Sequence, residues 1–427
     1  MSKILGFVKE ILKAQNKKVT ENINKSISEV LPDFFSKTQV DEFLQIFEAS
    51  LKSKSSTQSF QQSNKLDLKV EEGLSYRTQI DLLVTFAGNK IEKEKFLSLL
   101  LYLSQAAITN GEFSAAIDIN EKIINLTRDD RNMINLAANA HLMVGEIYSR
   151  QAGWQNSFTF ISKAMDLFSS INDIKGVAKC ENLLGTVYGD LGDMQKAIEN
   201  FESALEKSNN ELNYTHKGKI EINLGIVKSI KGLFDEALVY FKRALINYEK
   251  VGDKKRIAEI HQNIGMVYLK KEEYQLALNE FDESLALGNE TNYLQQIGIV
   301  YLSKASVYSR MNDHSLANAF ADKSLEVSQK LNDKLTIADV YKIKGIIQKN
   351  TSNFLLAENY LLTSMRLNDE AGNQLNLAET YQELGLLYKQ MDKPEESRKY
   401  FNLALEYFKK INSEPDISSL QELLNTI

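Results

Sequence analysis

The residues best suited to catalysis or metal binding are few in this chain and do not cluster. Its 427 residues include one cysteine, Cys180, and four histidines, His141, His216, His261 and His314. A single thiol excludes a disulfide framework and any multi-cysteine zinc or iron–sulfur site within one chain. No histidine belongs to an H-E-x-x-H motif, and neither G-x-S-x-G nor a glycine-rich phosphate loop is present. We therefore predict no enzymatic activity, no metal and no cofactor.

Composition excludes several further classes. The net charge is −6, so no overall basic field attracts nucleic acid. No apolar run approaches the ~18 residues needed to cross a membrane. Lys9 and Glu10 interrupt the only apolar stretch near the start, which argues against a secretory signal. We expect a cytoplasmic protein with a reduced thiol, and the 3 prolines favour long uninterrupted helices.

Small residues recur every 40 positions along most of the chain. They are Gly145, Gly185, Gly225, Gly265, Ala305, Gly345 and Gly385. Each is followed after 12 and 19 residues by another small residue, and after 16 residues mostly by a large apolar one, such as Phe201, Phe241 or Phe281. The spacing within each half is helical. The pattern predicts pairs of helices that cross closely at the small residues, with large side chains packed around the crossing.

These columns resemble the tetratricopeptide repeat. The segment KCENLLGTVYGDLGDMQKAIENFESALEK matches its L-G-x-x-Y signature and the A, F and A that follow. The resemblance implies an all-α, right-handed α-solenoid of about eight helix pairs, here with a 40-residue period. It divides the chain into parts. These are capping helices over 65–96, a degenerate repeat over 97–137, seven repeats over 138–417, and a C-terminal capping helix over 416–427.

The N-terminal segment does not follow this period. Residues 1–52 read as a module of three amphipathic helices, and the Ser/Gln-rich stretch 53–64 reads as a linker. The first helix, within residues 1–18, is basic. It either lies on an anionic membrane surface or, as we favour, packs on the other two helices. Because a module of about 50 residues has a marginal core, we expect it to dimerise or to dock on a partner.

The resemblance also implies a binding surface, because in this family the first helix of each pair lines the concave face. Two residues before the small position stand Asn223 and Asn263, with Ser303 as a weaker third. An asparagine amide both donates to and accepts from a peptide unit, so these residues match a ladder that holds an extended peptide. Basic residues facing the same groove would favour acidic or carboxyl-terminal peptides. They are Arg150, Lys179, Lys219, Lys270, Arg310 and Lys349. The alternative is a solvated charged face.

Taken together, the sequence predicts a non-enzymatic adaptor or scaffold that binds a partner protein or peptide along its concave groove. One alternative is a peptide-gated switch that sequesters a signalling partner, since the layout is similar to bacterial response-regulator inhibitors. A second is a scaffold that self-assembles through the N-terminal module. The identity of the partner is not encoded in any motif.

Overall fold

The computed structural model describes residues 23–58, 74–128, 130–208 and 213–427. Within these ranges the regular structure consists of twenty α-helices and one short 3-10 helix, so the all-α prediction is confirmed. None of these helices is long and apolar enough to cross a membrane. Their bounds are α1 Lys25–Phe34, α2 Lys37–Gln58, α3 Tyr76–Gly88, α4 Lys93–Thr109, α5 Phe113–Thr127, α6 Ile134–Arg150, α7 Trp154–Ser170, α8 Ile174–Asp190, α9 Met194–Ser208, α10 Tyr214–Ile230, α11 Phe234–Val251, α12 Lys254–Lys270, α13 Tyr274–Glu290, α14 Leu294–Arg310, α15 His314–Leu331, α16 Lys334–Asn350, α17 Phe354–Glu370, α18 Gln374–Gln390, α19 Pro394–Lys410 and α20 Glu414–Asn425.

The predicted helix crossing is present in each pair. A Cβ added to Gly185, Gly225, Gly265 or Gly385 would lie 2.4–2.6 Å from the phenylalanine ring sixteen residues later, so only glycine leaves room for that ring. Ala305 is the one methyl-bearing member of the column, and the residue sixteen after it is Ala321, which is fully buried. The larger residue on one helix is thus matched by a smaller one on the other.

Asparagine or aspartate side chains start several of the first helices. Asn213, Asp253, Asp333 and Asn373 each accept a hydrogen bond from the backbone N–H three residues later. This N-cap satisfies one of the amide groups that the first helical turn leaves without a partner. The polar residues predicted to join successive repeats therefore define where the next pair begins.

The chain divides into two compact units, one ending at Cys180 and one spanning Glu181–Ile427. In the first unit, α1 and α2 share one core with α3 to α6, in which Ile27, Phe43, Leu83 and Leu97 are fully buried. Helix α2 runs to Gln58, six residues into the segment predicted as a linker. The basic helix predicted within residues 1–18 lies outside the described residues.

The second unit contains the end of α8 and all helices from α9 to α20. Each helix packs on the one before and after it, and first helices of neighbouring pairs also touch. The last helix, α20, packs on α19 and buries Leu420. This stack positions the side chains of α8, α10, α12, α14, α16 and α18 on one common face.

Candidate functional site

The candidate site is the inner face of the second unit, formed by these first helices. Burial raises the pKa of the Glu379 carboxyl, but Lys342 outweighs burial, and Lys270 and Arg310 add to the effect, so the pKa is lowered overall. Lys270 and Arg310 lie on α12 and α14, whereas Glu379 lies on α18. Side chains on helix pairs that are not neighbours approach each other only across the inside of a curved stack. Together with the contacts between first helices of neighbouring pairs, this places the first helices on the concave side.

Amide side chains line the part of this face formed by α8, α10 and α12. Asn223 Nδ2 donates to Asn182 Oδ1 at 3.0 Å, which joins two neighbouring pairs. Asn263, one repeat later, is half-buried. We call Asn182, Asn223 and Asn263 the amide row. Sequence analysis missed Asn182 because it stands three rather than two residues before its glycine. An asparagine near the same position of the next repeat, Asn223, could have pointed to it.

Ion pairs occupy the corresponding face on α16 and α18. Lys342 contacts Glu379 and lies 3.5 Å from Asp339, and Lys349 Nζ lies 2.6 Å from Glu383 Oε2. Burial opposes the charge of Lys342, yet Glu379 and Asp339 raise the pKa of its ammonium above the usual range. This part of the face is therefore neutralised within the chain itself.

The predicted cations fall into three groups. Lys219, Lys270 and Arg310 are exposed in the second unit. Lys179 and Arg150 belong to the first unit, where Lys179 is exposed and Arg150 Nη2 lies 2.7 Å from Glu146. The prediction for Lys349 needs correction, because this lysine is only 6% exposed and its charge is balanced by Glu383.

The sign of the charge also changes along the stack. Six residues before the small position, Lys179 and Lys219 are followed in later repeats by Glu259, Asp339 and Glu379. Two further groups, at opposite ends of the unit, interact electrostatically. Burial raises the pKa of Asp190 to about 6, and burial together with Asp190 and Glu379 raises the pKa of Tyr407 to about 12.

The other candidate residues support packing. His261 Nδ1 lies 2.7 Å from Glu280 Oε2, between the two helices of its own pair, and the Cys180 side chain is fully buried. Ser303 is buried, and its hydroxyl donates to the Ile299 carbonyl at 3.0 Å. In the described part of the chain, no group of three or more His, Cys, Asp or Glu residues is placed to hold a metal ion.

Comparisons with known proteins agree with this architecture. The sequence matches the tetratricopeptide repeat family over residues 136–210, 217–290 and 256–330, and again over 378–410. No curated protein sequence is significantly similar to the chain.

Three solved structures are similar over most of their length. A Rap protein complexed with competence and sporulation factor has a TM-score of 0.61 at 12% identity, covering 88% of this chain and 97% of that one. Aspartyl phosphate phosphatase F from Bacillus subtilis has a TM-score of 0.56 at 14% identity, covering 89% and 96%. The apo form of the quorum sensor NprR from B. thuringiensis has a TM-score of 0.55 at 18% identity, covering 87% and 98%. At these identities the likeness shows the fold.

Proposed function

The chain belongs to the tetratricopeptide repeat family, and we propose that it is a non-enzymatic adaptor that holds an extended segment of a partner protein or peptide against the amide row. The observation that carries this proposal is the pair formed by Asn182 and Asn223 on the inner face. An amide group offers two N–H donors and a carbonyl with two lone pairs. Their mutual bond uses one donor of Asn223 and one lone pair of Asn182. Asn182 is only 5% exposed, so the capacity for a ligand backbone lies in the half-buried Asn223.

The charges around the amide row favour an acidic ligand. Lys219, Lys270 and Arg310 are exposed on the same helices or on the next first helix. Carboxylates on a bound segment would find cations here, whereas at α16 and α18 the lysines already have carboxylate partners. The stacked helices hold these groups in place before binding, which reduces the entropy lost when a ligand is ordered.

A peptide-gated regulatory switch is the second candidate. It is favoured by the extent of the structural match, since the Rap protein complexed with competence and sporulation factor aligns with 88% of this chain. A switch predicts that ligand binding compacts the protein measurably in small-angle scattering, whereas a rigid adaptor predicts no change in radius of gyration. One structural neighbour is named as a phosphatase; fold alone does not transfer that activity.

Self-assembly and membrane contact remain predictions about the N-terminal segment. Sizing of the full-length protein against a 65–427 fragment tests self-assembly, because a scaffold built through the N-terminal module loses its oligomeric state in the fragment. Sedimentation with anionic vesicles tests the membrane contact of residues 1–18.

The adaptor proposal is tested by affinity capture with quantitative mass spectrometry. The bait proteins are the wild type, Asn223→Ala/Asn263→Ala, and the matched variant Asn279→Ala/Asn359→Ala, whose asparagines are exposed on second helices. We expect one set of partners to be retained by the wild type and the outer variant and depleted by the inner one. Equal recovery on all three baits would remove the amide row from the account.

A further inference from the structure

The end of the chain contacts turns that precede it by about two hundred residues. The Ser413 hydroxyl donates to the backbone carbonyl of Ile230 at 3.1 Å. A Cβ on Gly192 would lie 2.9 Å from Ile411, and a Cβ on Gly232 would lie 2.6 Å from the Pro415 ring. All six residues belong to the second unit. The turn between α19 and α20, together with the first residues of α20, therefore meets the turns within the pairs α8–α9 and α10–α11.

Comparison between repeats shows what these contacts bury. Ile411 follows its second helix in the same register as Ile171, Val251 and Leu331. Those three side chains are 37%, 47% and 40% exposed, whereas Ile411 is fully buried. The next helix along the chain follows all four residues, so it does not account for the difference. The contact of Ile411 with the turn at Gly192 accounts for its lower exposure.

The receiving turns differ from their equivalents in the same way. Seven residues after the small position, the turn has positive φ in every repeat, and five of the seven residues there are not glycine. These are Ala152, Glu272, Asn312, Ser352 and Asp392, with φ between 56° and 62°. The left-handed conformation therefore does not by itself require Gly192 or Gly232. The five other positions are exposed, whereas Gly192 is buried and Gly232 is half-buried. Glycine stands at the two turns that the chain end covers.

We propose that Ile411, Ser413 and Pro415, seated on Gly192, Ile230 and Gly232, form a latch that closes the second unit into a ring and limits access to its inner face. The occupant of the two turns is thus a segment of this chain, joined by a few apolar contacts and one hydrogen bond. A contact of this size opens more readily than the stacked helices separate. The binding of a ligand inside the ring rests on the proposed function. The closure of the ring and its opening do not depend on that function.

The closure is tested by cross-linking. A Cβ on Gly232 would lie 4.0 Å from the Pro415 Cβ, within the range of Cβ separations in disulfides. We expect Gly232→Cys/Pro415→Cys to form an intramolecular disulfide in the full-length protein under mild oxidation. The control pair Glu272→Cys/Pro415→Cys places the same thiol one turn further along the stack and should stay reduced. Comparable oxidation of the two pairs, or none in the first, would overturn the closure.

Access is tested with variants that retain the turn. Asparagine already occupies this turn at Asn312, so Gly192→Asn/Gly232→Asn adds bulk under the latch with limited backbone strain. Glu272→Asn/Ser352→Asn is the matched control. We expect a larger radius of gyration in small-angle scattering for the first variant and an unchanged one for the control. An unchanged radius in both, with the helical circular dichroism signal intact, would contradict the latch.

An added thiol on the inner face reports access directly. We expect a bulky polyethylene-glycol maleimide to label Asn263→Cys several-fold faster in the Gly192→Asn/Gly232→Asn background than in the wild-type background. The outward Asn279→Cys should react at the same rate in both, and wild-type protein gives the background from the buried Cys180. Equal rates at Asn263→Cys would show that the ring does not limit access, whatever the fate of the proposed function.

Discussion

The two halves of the inner face differ in whether their polar side chains are paired with charged partners within the chain. On α8, α10 and α12 the face carries the amide row with exposed Lys219 and Lys270 nearby. On α16 and α18, equivalent helices carry Lys342 and Lys349 joined to carboxylates of the next first helix. The backbone is the same in both halves, so the difference lies in the side chains alone.

This difference indicates which half of the inner face has side chains available to a ligand. A lysine that is only 6–8% exposed and paired with a carboxylate cannot take a ligand carboxylate without losing its partner. The amides of Asn223 and Asn263 are half-buried and uncharged, so their exposed parts give up only water when a peptide binds. We therefore propose that the first half binds a ligand and that the second half is held rigid by its ion pairs.

Replacing the glycine at a helix crossing by alanine should destabilise the protein equally in both halves. Gly265→Ala and Gly385→Ala each force a methyl group against a phenylalanine ring, and each should lower the free energy of unfolding by about 2 kcal/mol. In a Phe281→Ala background, Gly265→Ala should instead be neutral or stabilising by up to about 1 kcal/mol, because alanine favours helix over glycine. Denaturant unfolding measures all of these. A loss from Gly265→Ala that persists without the ring would refute the packing explanation.

The second half should depend on its ion pairs. Lys342→Met removes the lysine that lies beside both Asp339 and Glu379, and we expect a loss of about 2 kcal/mol at neutral pH. The loss should shrink in acid, as the two carboxyls become protonated. Lys219→Met, at an exposed lysine of the first half, should change stability by less than about 0.5 kcal/mol. Thermal melts from pH 4 to 7 measure both variants, and similar losses would erase the contrast between the halves.

Asp190 should make the ring less stable as pH rises. Its pKa of about 6 lies above the ordinary value of 3.8 because burial disfavours the charge. The neutral form is favoured in the folded state, so its contribution is complete below pH 3.8 and is lost as pH rises through about 6. Asp190 is exposed, so water screens its charge, and we expect Asp190→Asn to gain only about 1 kcal/mol at pH 7 and nothing at pH 3.5. Melting curves of variant and wild type, compared at each pH, cancel the titration of other carboxyls. A gain independent of pH would contradict this origin.

The fold could be predicted from the sequence because the same residue types recur at the same positions of successive repeats. Gly265 and Phe281 stand in the same register as Gly225 and Phe241. In both repeats the phenylalanine ring packs directly on the glycine, which explains why the two residues recur together. The site was harder to predict, since one residue per repeat decides it. The pairing of Lys349 with Glu383 was overlooked because it joins two different columns in neighbouring repeats. The contact of Ile411 with Gly192 has no local signal, because it depends on the curvature accumulated over the intervening helix pairs.

The most direct measurement compares peptide affinity between the two halves. A peptide selected from a random library on the wild-type protein is titrated against Asn223→Ala/Asn263→Ala and against Asn350→Ala/Gln390→Ala, whose exposed amides lie on α16 and α18. We expect the affinity to be lower by about tenfold for the first variant, the equivalent of one or two hydrogen bonds, and unchanged for the second, with equal melting temperatures. Equal affinities in both variants, or a greater loss in the second, would contradict the assignment of binding to the amide row.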